Sequence, residues 1–248
     1  MAGGYRASSY ADAGAGWVSG STQTLTTGVA TQAGDRIVVG VITQGTSSST
    51  APTFTVSDNK NSGNYTEDKT QTWVYPGAND TRQSAFSKTV TVAGSTTVTI
   101  TISNGSNGGA QLGVFTGLQT SDPGSDVGAA GTGSGTAATS GNATATGAAS
   151  ELVVGFCQDL GEGCTLTAGN INGSAATLAG AHQTDGGNWQ GLMEYGDSGS
   201  SGSTPAATAT KGASTSWGMI EVVYKLAGSA PKSFISFQRP NYAYVRRR

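Results

Sequence analysis

Thr89-Val-Thr-Val92, then Gly94-Ser95, then Val98-Thr-Ile-Thr-Ile102 decides the fold class. Apolar and hydroxyl side chains alternate with a period of two. That places one set on a buried face and the other on a wet face of a β-strand. The Gly-Ser step between the runs supplies the turn of a hairpin. Working back along the chain, Asp35-Arg-Ile-Val-Val-Gly-Val-Ile42 is a short β-branched run bounded by turn residues. Its unbroken apolar character predicts a strand buried on both faces. Phe54-Thr-Val56 precedes a polar turn, Asp58-Asn-Lys-Asn-Ser-Gly-Asn64. Trp73-Val-Tyr75 and Leu112-Gly-Val-Phe115 complete the strands of the first half. No stretch holds a helical period of 3.6 over three turns.

Going forward, the order recurs. Glu151-Leu-Val-Val-Gly-Phe156 resembles Arg36-Ile-Val-Val-Gly-Val41, an offset of 115 (151 − 36). Trp217-Gly-Met-Ile-Glu-Val-Val-Tyr-Lys-Leu226 resembles Gly109-Ala-Gln-Leu-Gly-Val-Phe-Thr-Gly-Leu118, an offset of 108 (217 − 109). Both apolar runs follow Thr-rich leads, Leu25–Thr31 and Asn142–Gly147. An internal duplication accounts for this order. Each half alone offers about four to six strands, too few to cover both faces. The expectation is therefore all-β: one jelly-roll or β-sandwich of two antiparallel sheets over residues 20–227, with half-repeats at about 20–118 and 140–227. Residues 1–19 form an N-terminal arm and 228–248 an extended C-terminal arm. Thr120–Gly147 is expected as a long crossing loop and Gly196–Thr204 as a flexible hairpin tip.

Composition narrows the class. Charged residues make up 11% of the 248, against about 25% in ordinary domains, while 39 residues are Gly. Disorder does not follow, because the polar stretches alternate with compact β-branched runs. Residues 228–248 carry Lys232, Arg239, Arg246, Arg247 and Arg248 with no acid, so this segment is +5. With a total of −2 the remaining chain is −7. The segment also carries Phe234, Phe237, Tyr242 and Tyr244. It reads as a docking arm for a partner surface, since aromatic residues left in water would not be held in place. No apolar run has the length of a membrane span, and Met1–Gly16 lacks the basic flank and apolar core of a signal peptide. The sequons at Asn64, Asn79, Asn104, Asn142 and Asn172 are by-products of a Ser/Thr-rich chain.

Chemistry-bearing residues are sparse. His182 is the sole histidine and reads as a polar loop residue. Cys157 and Cys164 either close a small disulfide loop or stay as thiols; two cysteines cannot supply the four ligands of a structural zinc site. The acids Asp122, Asp126, Asp159, Glu162, Asp185, Glu194 and Asp197 single out no facing pair of the kind a glycosidase needs. The Asp58 loop lacks the acids that an EF-hand places at its third and fifth positions. Of Trp17, Trp73, Trp189 and Trp217, Trp217 heads a buried-looking strand. Trp189, beside Gly186, Gly187 and Asn188, is the best candidate for an exposed sugar-stacking ring. No loop has the phosphate-cradle pattern, and three terminal arginines are weak grounds for nucleic acid.

Gly34-Asp-Arg-Ile-Val-Val-Gly-Val41, Val56-Ser-Asp-Asn-Lys60 and Gly117-Leu-Gln-Thr-Ser-Asp-Pro123 resemble a broad group of β-sandwich modules. Such modules occur in bacteriophage structural proteins and bacterial surface proteins. The likeness covers roughly residues 20–227 and carries no shared activity. Together these readings lead to an expectation of a non-enzymatic virion structural protein without cofactor: a capsid decoration or cement protein, oligomeric, on the outside of a phage head. The alternative is a carbohydrate-binding or adhesive module on a tail fibre or bacterial surface, with a glycan as ligand.

Overall fold

The computed structural model describes residues 4–14, 19–46, 50–74, 80–121, 125–160, 165–182 and 189–228. Among them there is no helix, and all the strand pairings are antiparallel. The all-β class expected from the period-two runs is therefore observed. The first half contains β1 (Gly4–Tyr5), β2 (Ala11–Gly14), β3 (Thr22–Thr26), β4 (Arg36–Gly45), β5 (Thr53–Asp58), β6 (Thr66–Val74), β7 (Asp80–Thr89), β8 (Thr97–Ser103) and β9 (Gly105–Thr116). The second contains β10 (Ser125–Thr139), β11 (Leu152–Asp159), β12 (Leu166–Ile171), β13 (Ser174–Ala175), β14 (Thr177–His182), β15 (Gln190–Asp197) and β16 (Ala207–Tyr224).

Three sheets result. One runs β1-β9-β4-β7-β6, with β2 also on β9. A second runs β13-β12-β16-β11-β15-β14, with β10 also on β16. The third is β3-β8-β5. The pairing pattern recurs between halves. β4 lies between β9 and β7, and β11 between β16 and β15. β8 lies between β3 and β5. Likewise the start of β16 lies between the end of β10 and β12, where Ala209 pairs with both Ala138 and Ala168.

Period-two alternation explains the continuous apolar runs. In β4, Ile37, Val39 and Val41 join a buried cluster with Leu25, Val56, Val98, Ile100 and Leu112, all from the first half. Val38 points to the other side. In β11, Val153 and Cys157 join a cluster with Leu166, Ile171, Ala207 and Trp217, all from the second half. Leu152, Val154 and Phe156 point the other way. These outward residues meet: Val38, Ala85 and Phe115 of the first half share a third cluster with Leu152, Val154, Phe156, Ile220 and Tyr224 of the second. Both strands are thus buried on both faces, as their composition predicts. Each half also fills a cluster of its own with more strands than expected, while the other face of β4 and of β11 meets the opposite half. Segments 22–26, 80–89 and 177–182, which show weak apolar patterning, supply strands that the sequence did not mark.

The seam between the halves is built on glycine. A Cβ on Gly40 would lie 2.3 Å from the Phe156 ring, on Gly109 2.0 Å from the Trp189 ring, and on Gly218 2.5 Å from the Trp73 ring. These strand glycines mark close approach of a bulky neighbour. Hydrogen bonds cross the seam. Gln83 Nε2 donates to the Phe156 carbonyl (3.1 Å) and Gln158 Oε1 (2.9 Å), while Tyr224 Oη donates to Asp68 Oδ2 (2.8 Å). The fully buried Arg36 donates to Ser87, Thr89 and the carbonyls of Gln119 and Ser121 beneath the Tyr224 ring.

Other expectations change. Thr89–Val92 and Val98–Ile102 do not form a hairpin: β7 ends at Thr89 and pairs with β4 and β6, while β8 pairs with β3 and β5 in another sheet. The Thr120–Gly147 segment is not a loop throughout. Ser125–Thr139 is a strand paired along β16, and its glycines are spatial: a Cβ on Gly133 would lie 2.6 Å from the Trp217 ring. Small residues gave no apolar alternation there because a large neighbour fills their space. Residues 4–5 and 11–14, within the arm read at 1–19, pair with β9, and Arg6 pins them to Asp35 at 2.7 Å. Finally, the matched glycines of the two halves face opposite ways. Gly40 faces Phe156 across the seam, whereas Gly155 faces Ala207 and Glu194 inside the second half. An offset of 115 therefore pairs residues on opposite faces, since one residue of slip inverts a strand.

Candidate functional site

The sole histidine sits where three segments meet. β2 supplies Asp12, β14 ends on His182, and Trp189 leads into β15. His182 Nδ1 lies 2.7 Å from Asp12 Oδ1, and its ring stacks on Trp189 with centroids 4.5 Å apart. Gln111 of β9 donates Nε2 to Tyr10 Oη at 3.0 Å, and the Tyr10 amide donates to Tyr5 Oη at 2.9 Å. Burial, foremost, holds the Tyr10 phenol protonated well above its ordinary range, with the Asp12 carboxylate adding to the effect. Gly180 leaves room for the Tyr10 ring, as Gly109 does for Trp189. Asp12 fixes the imidazole and joins the N-terminal strand to the second half. Among the described residues no serine or cysteine is bonded to His182, so the pair has no nucleophile beside it there. The histidine read as a loop residue is in fact at a strand end. Trp189 is 1% exposed, which overturns its reading as an exposed sugar-stacking ring: glycine-lined space at Gly109 and Gly191 takes the indole inward. Trp217 is core, as expected, and Trp73 is half-buried over Gly218.

A second group of polar residues lies inside the second half. Glu194 of β15 and Glu221 of β16 both pair with Gly155 of β11, so their side chains share the face turned to the second cluster. Both are fully buried. Glu194 Oε2 accepts from the Gly169 amide at 3.1 Å; Glu194 Oε1 and both oxygens of Glu221 have no hydrogen-bond partner among the described residues. Burial pushes each carboxyl up to about 8, against the smaller opposing pull of nearby amides. Sequence spacing did not single out this pair. The residues are 27 apart (221 − 194) and meet only because β11 lies between their strands. Farther along the same face, Lys211 Nζ and Asp159 Oδ2 are 2.6 Å apart with both side chains 0% exposed.

The remaining candidates are dispersed. Asp126 accepts from the Gly147 amide and pairs with Lys225. The Asp58 carboxylate is occupied by the amides of Lys60 and Asn61 and the hydroxyl of Tyr65, an Asx-type turn brace rather than a cation cage. Among the described residues no group of three or more His, Cys, Asp and Glu could hold a metal ion. No helix there is long and apolar enough to cross a membrane. Cys157 is buried in the second cluster, while Cys164 lies outside the described residues, as do Asp122, Glu162, Asp185 and Trp17. The docking residues Phe234, Phe237, Tyr242, Tyr244, Arg246, Arg247 and Arg248 also lie outside them. No protein-family model and no curated protein matches this chain.

Proposed function

We propose that this chain is a virion structural protein, a decoration protein held on the outside of a bacteriophage head by its C-terminal arm. The carrying observation is the segment 228–248, with its five cations, no acid and four aromatic rings, following a body that is −7. The body ends its pairing next to the first half, where Leu226 bridges to Leu118 and the Ala227 amide donates to Gly117 at 2.8 Å. Burial of the aromatic rings and charge-assisted contacts from the arginines would offset the entropy of ordering the arm on an acidic neighbour. Decoration stabilises a shell by mass action, because the protein binds the assembled lattice and not its free subunits. Within this reading the two halves form one sandwich-like body, the sheet of the second half packed against the larger sheet of the first through their shared cluster. Such a charge-poor body, braced at its seam, suits display on a particle. The burial of Trp189 weighs against the glycan-binding alternative, which looked to an exposed Trp189 or Trp73; Trp73 is half-buried over Gly218.

The test is particle binding. The full chain is expected to co-sediment with phage heads at saturating occupancy. Deleting residues 228–248 is expected to leave Tm nearly unchanged and to weaken attachment by about tenfold or more, the loss of one or two anchor side chains. High salt should weaken the intact protein in the same direction. Full occupancy by the truncated chain would remove the arm as anchor.

A further inference from the structure

We propose that Lys211 and Asp159 form an intramolecular amide cross-link inside the second half. β11 alternates with Val153 and Cys157 facing the second cluster, which puts Asp159 on that same face. β16 begins with Ala207 and Ala209 facing it, which puts Lys211 there too. The two side chains therefore converge from different strands into one apolar core, with Nζ 2.6 Å from Oδ2 and neither exposed to solvent. Among the described ion pairs this is the one with no solvent access on either side.

Three features favour condensation. The reacting groups are held in contact by strands that cannot separate without unfolding the core, which replaces a bimolecular encounter by a fixed one. The charges have been taken out of water, and the cost of keeping both in a low-dielectric core is relieved when a neutral amide replaces them. The Thr215 hydroxyl bridges the pair, donating to Asp159 Oδ2 and accepting from Lys211 Nζ, so it offers a path for a proton from amine to carboxylate. The balance closes without another reactant. Nζ bonds to the Asp159 carboxyl carbon, one carbon–oxygen bond breaks, and two of the three ammonium protons leave with that oxygen as water. Lys211 also donates to the Thr215 carbonyl at 2.9 Å, which holds the amine beside its target.

Intact-mass measurement on the purified full-length protein, unfolded in denaturant, tests this. The expected mass is that of the linear chain less one water, and proteolysis should release a branched peptide joining the segments around 159 and 211. Lys211→Arg, which keeps the cation but cannot condense in the same way, and Asp159→Ala should both restore the full linear mass. Thr215→Val retains both reactants and should slow the loss of water. The wild-type reading needs no variant to fold. A wild-type mass equal to the linear chain, with ordinary tryptic cleavage after Lys211, overturns the proposal. So does a water loss that persists in Lys211→Arg.

Discussion

Replacing Glu194 and Glu221 together by Gln is expected to raise stability at about pH 8 and to flatten its dependence on pH. Both carboxyls are pushed from 4.5 to about 8 in the fold, chiefly by burial. Below pH 4.5 folded and unfolded chains are both protonated at these sites, and no stability is lost. Between pH 4.5 and about 8 the unfolded chain releases protons that the fold retains, so stability falls as pH rises. Each carboxyl costs on the order of 4 kcal/mol across that window, and their mutual repulsion makes the sum less than additive. Gln keeps the shape and has no proton to lose. Chemical denaturation at several pH values should show wild type weakening steadily from pH 4.5 to about 8. The double variant should retain the smaller slopes from Glu151, which burial and neighbouring Asp126 raise to about 7, and from Asp68, which burial also raises. Parallel profiles for the two proteins would show that the pair is not the source.

The second large effect belongs to the seam. Phe156→Ala is expected to cost about 3–5 kcal/mol, because a fully buried ring is removed from the cluster shared by both halves. Gly40→Val should cost a further amount by the opposite route. Its side chain would enter space now held by the Phe156 ring, 2.3 Å from where a Cβ would stand, and overpacking of this kind costs about 1–3 kcal/mol. The combination should be much less harmful than the sum, since the added side chain fills the space vacated by the ring. A double-mutant cycle in urea reads this coupling directly, at about 1 kcal/mol or more. Strict additivity would mean that Gly40 and Phe156 do not share a site and that the halves pack otherwise.

Gly40 also marks the boundary between what was legible in the sequence and what was not. The period of two in Val98–Ile102 and the unbroken run from Ile37 to Ile42 are local patterns, and they sufficed to specify strands, their class and double burial. The recurrence of Val-Val-Gly at residues 38–40 and 153–155 was also legible, as was the break in pattern after Ala227. Which way those glycines face was not, because facing depends on register, and a slip of one residue leaves composition unchanged while inverting every side chain. Ser125–Thr139 escaped notice for a related reason. Its strand character comes from hydrogen bonds to β16 and from Trp217 filling the space beside Gly133, and neither is written in its own residues.

The candidate polar groups divide in the same way. The sequence by itself determined that acids are few, that one histidine is present and that cations and aromatics gather in the last twenty-one residues. Only the tertiary structure placed Glu194 beside Glu221, His182 on Asp12 and Lys211 against Asp159, because those partners are 27, 170 and 52 residues apart and meet through strand order rather than through spacing. It also turned Trp189 inward. A ring beside glycines reads as exposed from sequence alone, but glycines on facing strands leave a socket, and burying so large an apolar surface outweighs leaving it in water.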